Sequence, residues 1–250
     1  MNRNRILNTC KNYHTISFDI FDTLLKRDVY NPKDVFRVIE RAYVQQSGKQ
    51  INFYELRIEA EVIARQKSPY PEVTLDEIYE NINLPKPDQI VLKQLELQVE
   101  SSLLHANSDL LIVFQECQRH GKRIYLFSDM YLPKEFLEKI LVREGIRGYK
   151  QLYLSCVYRA KKRTGQLFRV LIEHEHLQKD ELLHIGDSWY ADVLGPAKAG
   201  MKGLHIPRQV HSTLYFESPD RIKEFDTRCL YAFINAHIGG LSNRAERLGY

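Results

Sequence analysis

The chain is poor in the features that mark specialised protein classes. Its four cysteines, Cys10, Cys117, Cys156 and Cys229, stand far apart with no CxxC spacing, which argues against both a zinc site and a disulfide framework. Free buried thiols in a reducing compartment are the expectation. No run approaches the roughly 18 apolar residues that cross a bilayer. The opening Met1-Asn2-Arg3-Asn4-Arg5-Ile6-Leu7-Asn8 lacks the apolar core of a secretion signal, so a cytoplasmic location is expected. The net charge of +4 is scattered along the chain, without the clustered basic face that nucleic-acid binding requires. There is no internal repeat and no low-complexity stretch. What is present is a globular composition, 44% hydrophobic and 27% charged over 250 residues. That suits one large domain, or one domain carrying an inserted module.

Thr15-Ile16-Ser17-Phe18-Asp19-Ile20-Phe21-Asp22-Thr23-Leu24 is a run of strand formers that ends on a carboxylate and then turns. The residues before it, 1–14, read as a loose lead-in. After it the period becomes helical. Asn31-Pro32 opens a helix carrying Val35, Phe36, Ile39 and Tyr43, which Gly48 stops. Asn52 caps the next helix, and Thr74 and Glu77 form a capping box for a short one. A longer helix follows from about Asp88 to Leu104. Residues 28–105 thus read as all-helical, without a strand. From Asn107 onward helices and strands alternate. Helices carry Leu110, Val113, Phe114 and Cys117, then Phe136, Leu137, Ile140 and Leu141, then Leu167, Phe168, Leu171 and Ile172. Strands fall at 124–127, 152–154, 182–185 and 203–206. Such alternation predicts a parallel sheet with right-handed crossovers. One more amphipathic helix, with Ile222, Phe225, Cys229 and Phe233, is expected near the end.

Three of these strands end on polar residues: Asp19, Ser128 and Gly186-Asp187. In a parallel sheet those tips share one edge, where ligands of open α/β sheets bind. Asp192 follows five residues after Asp187 and returns near that edge. Asp19, Asp187 and Asp192 together would crowd negative charge, which is costly unless a cation compensates. A hard cation such as Mg²⁺ fits this oxygen set better than zinc, since no His or Cys is placed to join it. The plainer reading makes Asp187 and Asp192 helix caps.

These stretches together resemble the haloacid dehalogenase (HAD) superfamily of aspartate-nucleophile phosphohydrolases, in the subgroup with a helical cap inserted between its first and second motifs. The first motif is Asp19-Ile20-Phe21-Asp22-Thr23 and the second is Ser128. The third is a lysine in Arg159-Ala160-Lys161-Lys162-Arg163-Thr164-Gly165, where spacing selects Lys162 with Lys161 the runner-up. The fourth runs from Gly186-Asp187 through Asp192 to Gly195-Pro196-Ala197-Lys198-Ala199-Gly200. The resemblance implies a Rossmann-like α/β core over 1–27 and 106–207, with helices on both faces of a parallel sheet. A helical cap would cover 28–105, and a C-terminal helical extension 208–250. It further implies an aspartyl-phosphate on Asp19 and Mg²⁺ held by Asp19, the Phe21 carbonyl, Asp187 and Asp192. Ser128 and Lys162 would serve the phosphoryl group, and Thr23, Arg27, Asp129 and Arg57 are candidates for substrate contact.

One position departs from the pattern. The family's usual acid/base is an Asp two residues past the nucleophile, where this chain has Phe21, and a phenyl ring transfers no proton. Asp22 is the expected stand-in. The dehalogenase branch carries an aromatic there, but it needs no metal and lacks the intact Gly-Asp…Asp motif. A third reading is a weak or inactive homologue that binds a phosphorylated ligand or a partner enzyme. The first motif and Ser128-Asp129-Met130-Tyr131-Leu132-Pro133 also resemble bacterial members associated with cell-surface polysaccharide assembly, which implies a sugar phosphate as substrate and glycan-assembly enzymes as partners. In the helical block Arg57, Glu61 and Arg65 recur every four residues. The plain expectation is a surface ladder worth a few tenths of a kcal/mol per pair, and the sharper one is that Arg57 grips an anionic or sugar group.

Overall fold

The computed structural model describes residues 2–29 and 31–207. The 208–250 extension and its helix lie outside the described residues. Helix α1 (Arg3–Cys10) leads into β1 (Thr15–Asp19) and the short β2 (Leu25–Arg27). A helical stretch follows: α2 (Asp34–Ser47), α3 (Phe53–Lys67), α4 (Leu75–Tyr79) and α5 (Lys86–Leu103). The chain returns through β3 (Leu104–Ala106) to α6 (Ser108–Arg119), β4 (Arg123–Ser128), α7 (Lys134–Arg143), β5 (Gln151–Leu154), α8 (Ser155–Tyr158) and α9 (Gln166–Glu175). A 3₁₀ turn (Lys179–Glu181) precedes β6 (Leu182–Gly186), a π-helical turn (Trp189–Leu194), α10 (Gly195–Lys198) and β7 (Lys202–His205).

Five strands form one parallel sheet in the order β5-β4-β1-β6-β7. This is the expected α/β Rossmann-like core. β1 is central and buried at all five positions, as a strand covered on both faces must be. Alternate residues serve opposite faces. Ile16, Phe18, Ile124, Leu126, Leu183 and Ile185 join the core with α6 and α7. Tyr125, Phe127, Tyr153 and Leu182 pack with Leu167, Phe168 and Leu171 of α9. Each such side chain, fully buried, contributes about 1.5–3 kcal/mol of transfer free energy.

Most of the helices between β2 and β3 follow their sequence signals, but α2 opens at Asp34 with Lys33 as its N-cap, and Asn31-Pro32 lie in the turn before it. Gly48 ends α2 with φ +69°, a left-handed conformation that glycine adopts without steric cost. Asn52 caps α3, and Thr74 and Glu77 close a capping box on α4. Three further expectations need correction. The lead-in is helical: α1 is capped by Asn2 and buries Ile6 and Cys10, a four-residue spacing whose stability comes from packing on α6 rather than from propensity. The helical stretch is not strand-free at its edge, because Leu104 and His105 pair antiparallel with Arg27 and Lys26, in strands too short to show a period. And α3 turns Phe53, Arg57, Ala60 and Ala64 inward while Val62 is exposed, so Arg57 is not on the surface. Among the described residues no helix is long and apolar enough to cross a membrane.

Candidate active site

Because β4, β1 and β6 are neighbours, the tips carrying Ser128, Asp19 and Asp187 meet at one sheet edge. Asp19 is 4% exposed. Its Oδ1 accepts a hydrogen bond from Lys162 Nζ at 2.5 Å, while its Oδ2 is buried with no hydrogen-bond partner. The same ammonium donates to Asp192 Oδ1 at 2.7 Å. Of the two candidate lysines, Lys162 therefore reaches the acids. Lys161 instead lies 3.5 Å from Glu72 of the helical segment.

One ammonium cannot neutralise this cluster. Asp19, Asp187 and Asp192 each offer a carboxylate oxygen within 4.8 Å of the others. Burial favours a neutral Asp192, but the Lys162 charge and the His184 hydrogen bond outweigh it and hold the carboxyl below the usual range. Asp19 carries the surplus: burial, opposed by Lys162 and reinforced by Asp192 and Asp187, drives its carboxyl well above the ordinary value. Burial works against the Lys162 charge, yet Asp19, Asp192 and Asp129 raise its pKa. An orphaned, buried carboxylate oxygen beside two further acids fits a hard divalent cation. Asp19 and Asp187 have the clearer claim to it, since Asp192 is already engaged: Oδ1 takes Lys162 and His184, and Oδ2 takes the Ser188 N–H at 2.9 Å.

The scaffold explains the glycines of the fourth motif. A Cβ on Gly186 would stand 2.4 Å from the Asp192 carboxyl, and one on Gly195 would stand 2.3 Å from the Lys162 carbonyl oxygen. Only glycine lets the π-helical turn fold back onto β6 and the lysine loop. Asp129 Oδ1 accepts the Lys162 backbone N–H at 2.9 Å, so it braces that loop, and burial raises its carboxyl. Ser128, at the end of β4, is 2% exposed. Phe21 and Asp22 lie in the turn after β1, where Asp22 adopts φ +58°, a left-handed conformation that Asp tolerates better than most side chains. Thr23 is buried with its hydroxyl unpartnered, and its carbonyl accepts from Asn107 Nδ2 at 2.8 Å.

The two arginines proposed for substrate contact are each paired with a buried glutamate. Arg57 is fully buried, with Nε and Nη2 each 3.0 Å from an oxygen of Glu96 and its guanidinium 4.7 Å from the Phe36 and Tyr131 rings. The pair forms because α5 turns Glu96 toward α3, and an unpaired guanidinium could not be buried there. The Glu61 and Arg65 steps of the ladder do form, with Glu61 bonded to both arginines. Arg27 donates to Glu100 at 3.0 Å and lies 4.6 Å over the Phe21 ring. Residues that sequence reasoning passed over include Asn107, which looked like an ordinary helix start, and the strand residues Ser17 and His184.

No protein-family model matches the sequence, and no curated protein does. Solved structures share the fold. A 2-haloacid dehalogenase from Pseudomonas syringae pv. Tomato DC3000 superposes with a TM-score of 0.61 at 14% identity, covering 84% of this chain and 91% of that one. A HAD phosphatase from Thermococcus onnurineus gives 0.55 at 18% identity, covering 79% and 87%. YfnB of Bacillus subtilis, described as a HAD-hydrolase and bound to magnesium, gives 0.53 at 18% identity, covering 76% and 86%. At such identities the likeness is one of fold: an α/β core of the kind that HAD hydrolases use.

Proposed function

We propose that the protein is a Mg²⁺-dependent phosphohydrolase of the HAD superfamily that works through an aspartyl-phosphate on Asp19. The observation that carries the reading is the divided Asp19 carboxylate, with Oδ1 held by Lys162 and Oδ2 bare beside two further acids. The Asp19 carboxylate attacks phosphorus, the bond to the leaving oxygen breaks with its electron pair going to that oxygen, and water then cleaves the acyl phosphate. Lys162 screens the approach of two anionic groups and fixes the direction of attack. The Ser128 hydroxyl donates to a phosphoryl oxygen. Asp19, Asp187 and the Phe21 carbonyl, with Asp192 adjoining, would hold Mg²⁺, which supplies Lewis-acid withdrawal of charge from the phosphoryl group. Asp22 stands in for the proton-transferring residue displaced by Phe21. The substrate in this reading is a small phosphorylated metabolite. The likeness of the first two motifs to polysaccharide-assembly members supports a sugar-bearing one, met in the cytoplasm.

Phe21 favours a second reading, a homologue that binds a phosphorylated ligand with little turnover. Phosphate release from p-nitrophenyl phosphate, acetyl phosphate and a set of sugar phosphates, with and without Mg²⁺, tests both. The expected result is turnover that chelator and Asp19→Asn each abolish. Metal-independent phosphate release would remove the proposed mechanism, and binding without turnover would favour the second reading.

A further inference from the structure

β6 reads Leu-Leu-His-Ile-Gly and is buried throughout. Leu183 and Ile185 serve one face, while Leu182 and His184 turn to the face covered by α9. There His184 is fully buried, with its ring 5.6 Å from Phe127 and 4.8 Å from Phe168, edge-on to both. An apolar side chain would fill that place at lower desolvation cost, yet both imidazole nitrogens are in use. Nδ1 lies 2.8 Å from the hydroxyl of Ser17, its register partner on β1. Nε2 lies 3.1 Å from Asp192 Oδ1. An ionised carboxylate only accepts, so Nε2 carries a proton, and in a neutral ring Nδ1 then accepts the Ser17 O–H. The chain of bonds continues from Asp192 Oδ1 to Lys162 Nζ at 2.7 Å and on to Asp19 Oδ1 at 2.5 Å.

We infer that Ser17 and His184 are positioning residues for the reaction proposed above, locking Asp192 so that Lys162 is aimed at one oxygen of Asp19 and the carboxylate is held in a fixed orientation for attack. Ser188 and Lys162 alone would satisfy the hydrogen-bonding needs of Asp192. What the imidazole adds is a second, rigid donor on the same oxygen that Lys162 binds. That fixes the carboxylate rotation and, through it, the ammonium. The inference rests on the phosphohydrolase reading for its kinetic consequence, whereas the chain of hydrogen bonds stands on geometry alone.

The test pairs ¹⁵N NMR of the wild-type histidines with kinetics on acetyl phosphate in Mg²⁺. The His184 signals, assigned by their loss in His184→Gln, are expected to show Nε2 protonated and Nδ1 bare, and to shift in Asp192→Asn. His184→Leu keeps the bulk and removes both nitrogens. It should lower kcat about 10–100-fold with KM within about threefold, the scale of a misplaced reacting group. His184→Gln, which returns a donor toward Asp192, should recover most of that loss, and Ser17→Ala should cost about threefold to tenfold. Where His184→Leu is misfolded by near-UV circular dichroism, the Gln and Ser17→Ala variants carry the kinetics. An Nδ1–H tautomer, or wild-type kcat in the His184 and Ser17 variants, overturns the inference. Absence of turnover in the wild type, with the expected tautomer seen, overturns the phosphohydrolase reading and with it the kinetic role, while leaving the lock as geometry.

Discussion

The sheet edge and the helical block each bury a knot of charge, and they differ in how the charges are matched. In the block, and on β2 beside it, two buried arginines face two buried glutamates. Arg57 takes both oxygens of Glu96, to which Tyr79 also donates at 2.8 Å, and Arg27 takes Glu100. Burial lowers the Arg57 pKa, but Glu96 outweighs it and the guanidinium stays charged. At the sheet edge Lys162 bonds two of three clustered acids, and an oxygen of Asp19 is left bare. A matched set of buried charges fixes packing and asks for nothing further. A surplus of one sign, held rigidly, asks for a counter-ion or a substrate.

Experiments that unbalance either knot sharpen the contrast. The largest effect is expected at the edge, where Asp19→Asn should cut phosphate release on the order of 10⁴-fold or more, as loss of a nucleophile does. Rapid-quench assays would read it, and near-normal rates would dissolve the distinction. Lys162→Met should cost about 10²–10³-fold. In the block, Arg57→Met leaves Glu96 buried without its cation and should destabilise the fold by about 3–5 kcal/mol. Urea unfolding measures this, and kcat per folded molecule should stay unchanged. A fall in kcat/KM at unchanged stability would return Arg57 to the substrate. Mg²⁺ at about 100 times its dissociation constant should stabilise the wild type by about 2.7 kcal/mol, seen as a raised thermal midpoint. Asp187→Asn should blunt that response and Arg57→Met should keep it.

The smallest effect lies at the seam between the two regions, where Arg159 donates to both oxygens of Glu77 at 2.7 and 2.8 Å. The Arg159 hydrogen bond lowers the Glu77 pKa. The depressed folded value means that its stabilisation is present above the unfolded carboxylate pKa and is lost as pH falls through the folded one. Glu77→Gln should therefore cost about 0.2–1 kcal/mol at neutral pH, the range of solvent-screened pairs, and nothing in acid. Unfolding midpoints at the two pH values would show it.

Much of the edge was legible because strand runs end on it: Asp19, Ser128 and Asp187 stand where a period of two stops, and a parallel sheet collects such ends. The lysine was legible only to within one residue, since spacing along a loop does not say which side chain turns inward. Ser17 and His184 were hidden because a polar residue inside a strand looks the same whether it faces solvent or a buried partner, and the cross-strand register that joins them is set by tertiary pairing. Arg57 was misread for a related reason. The apolar residues of α3 outnumber its small ones, and the burial of a guanidinium depends on a glutamate 39 positions away. The π-helical turn from Trp189 to Leu194 has no periodic signature of its own.

The two passages between sheet and helical block run as a paired ribbon, β2 against β3, and Asn107, just beyond it, grips the Thr23 and Leu24 carbonyls. The block is thus attached by one double-stranded stalk rather than by two independent tethers. Through Asn107 the turn that follows Asp19 is tied to both strands of that stalk at once.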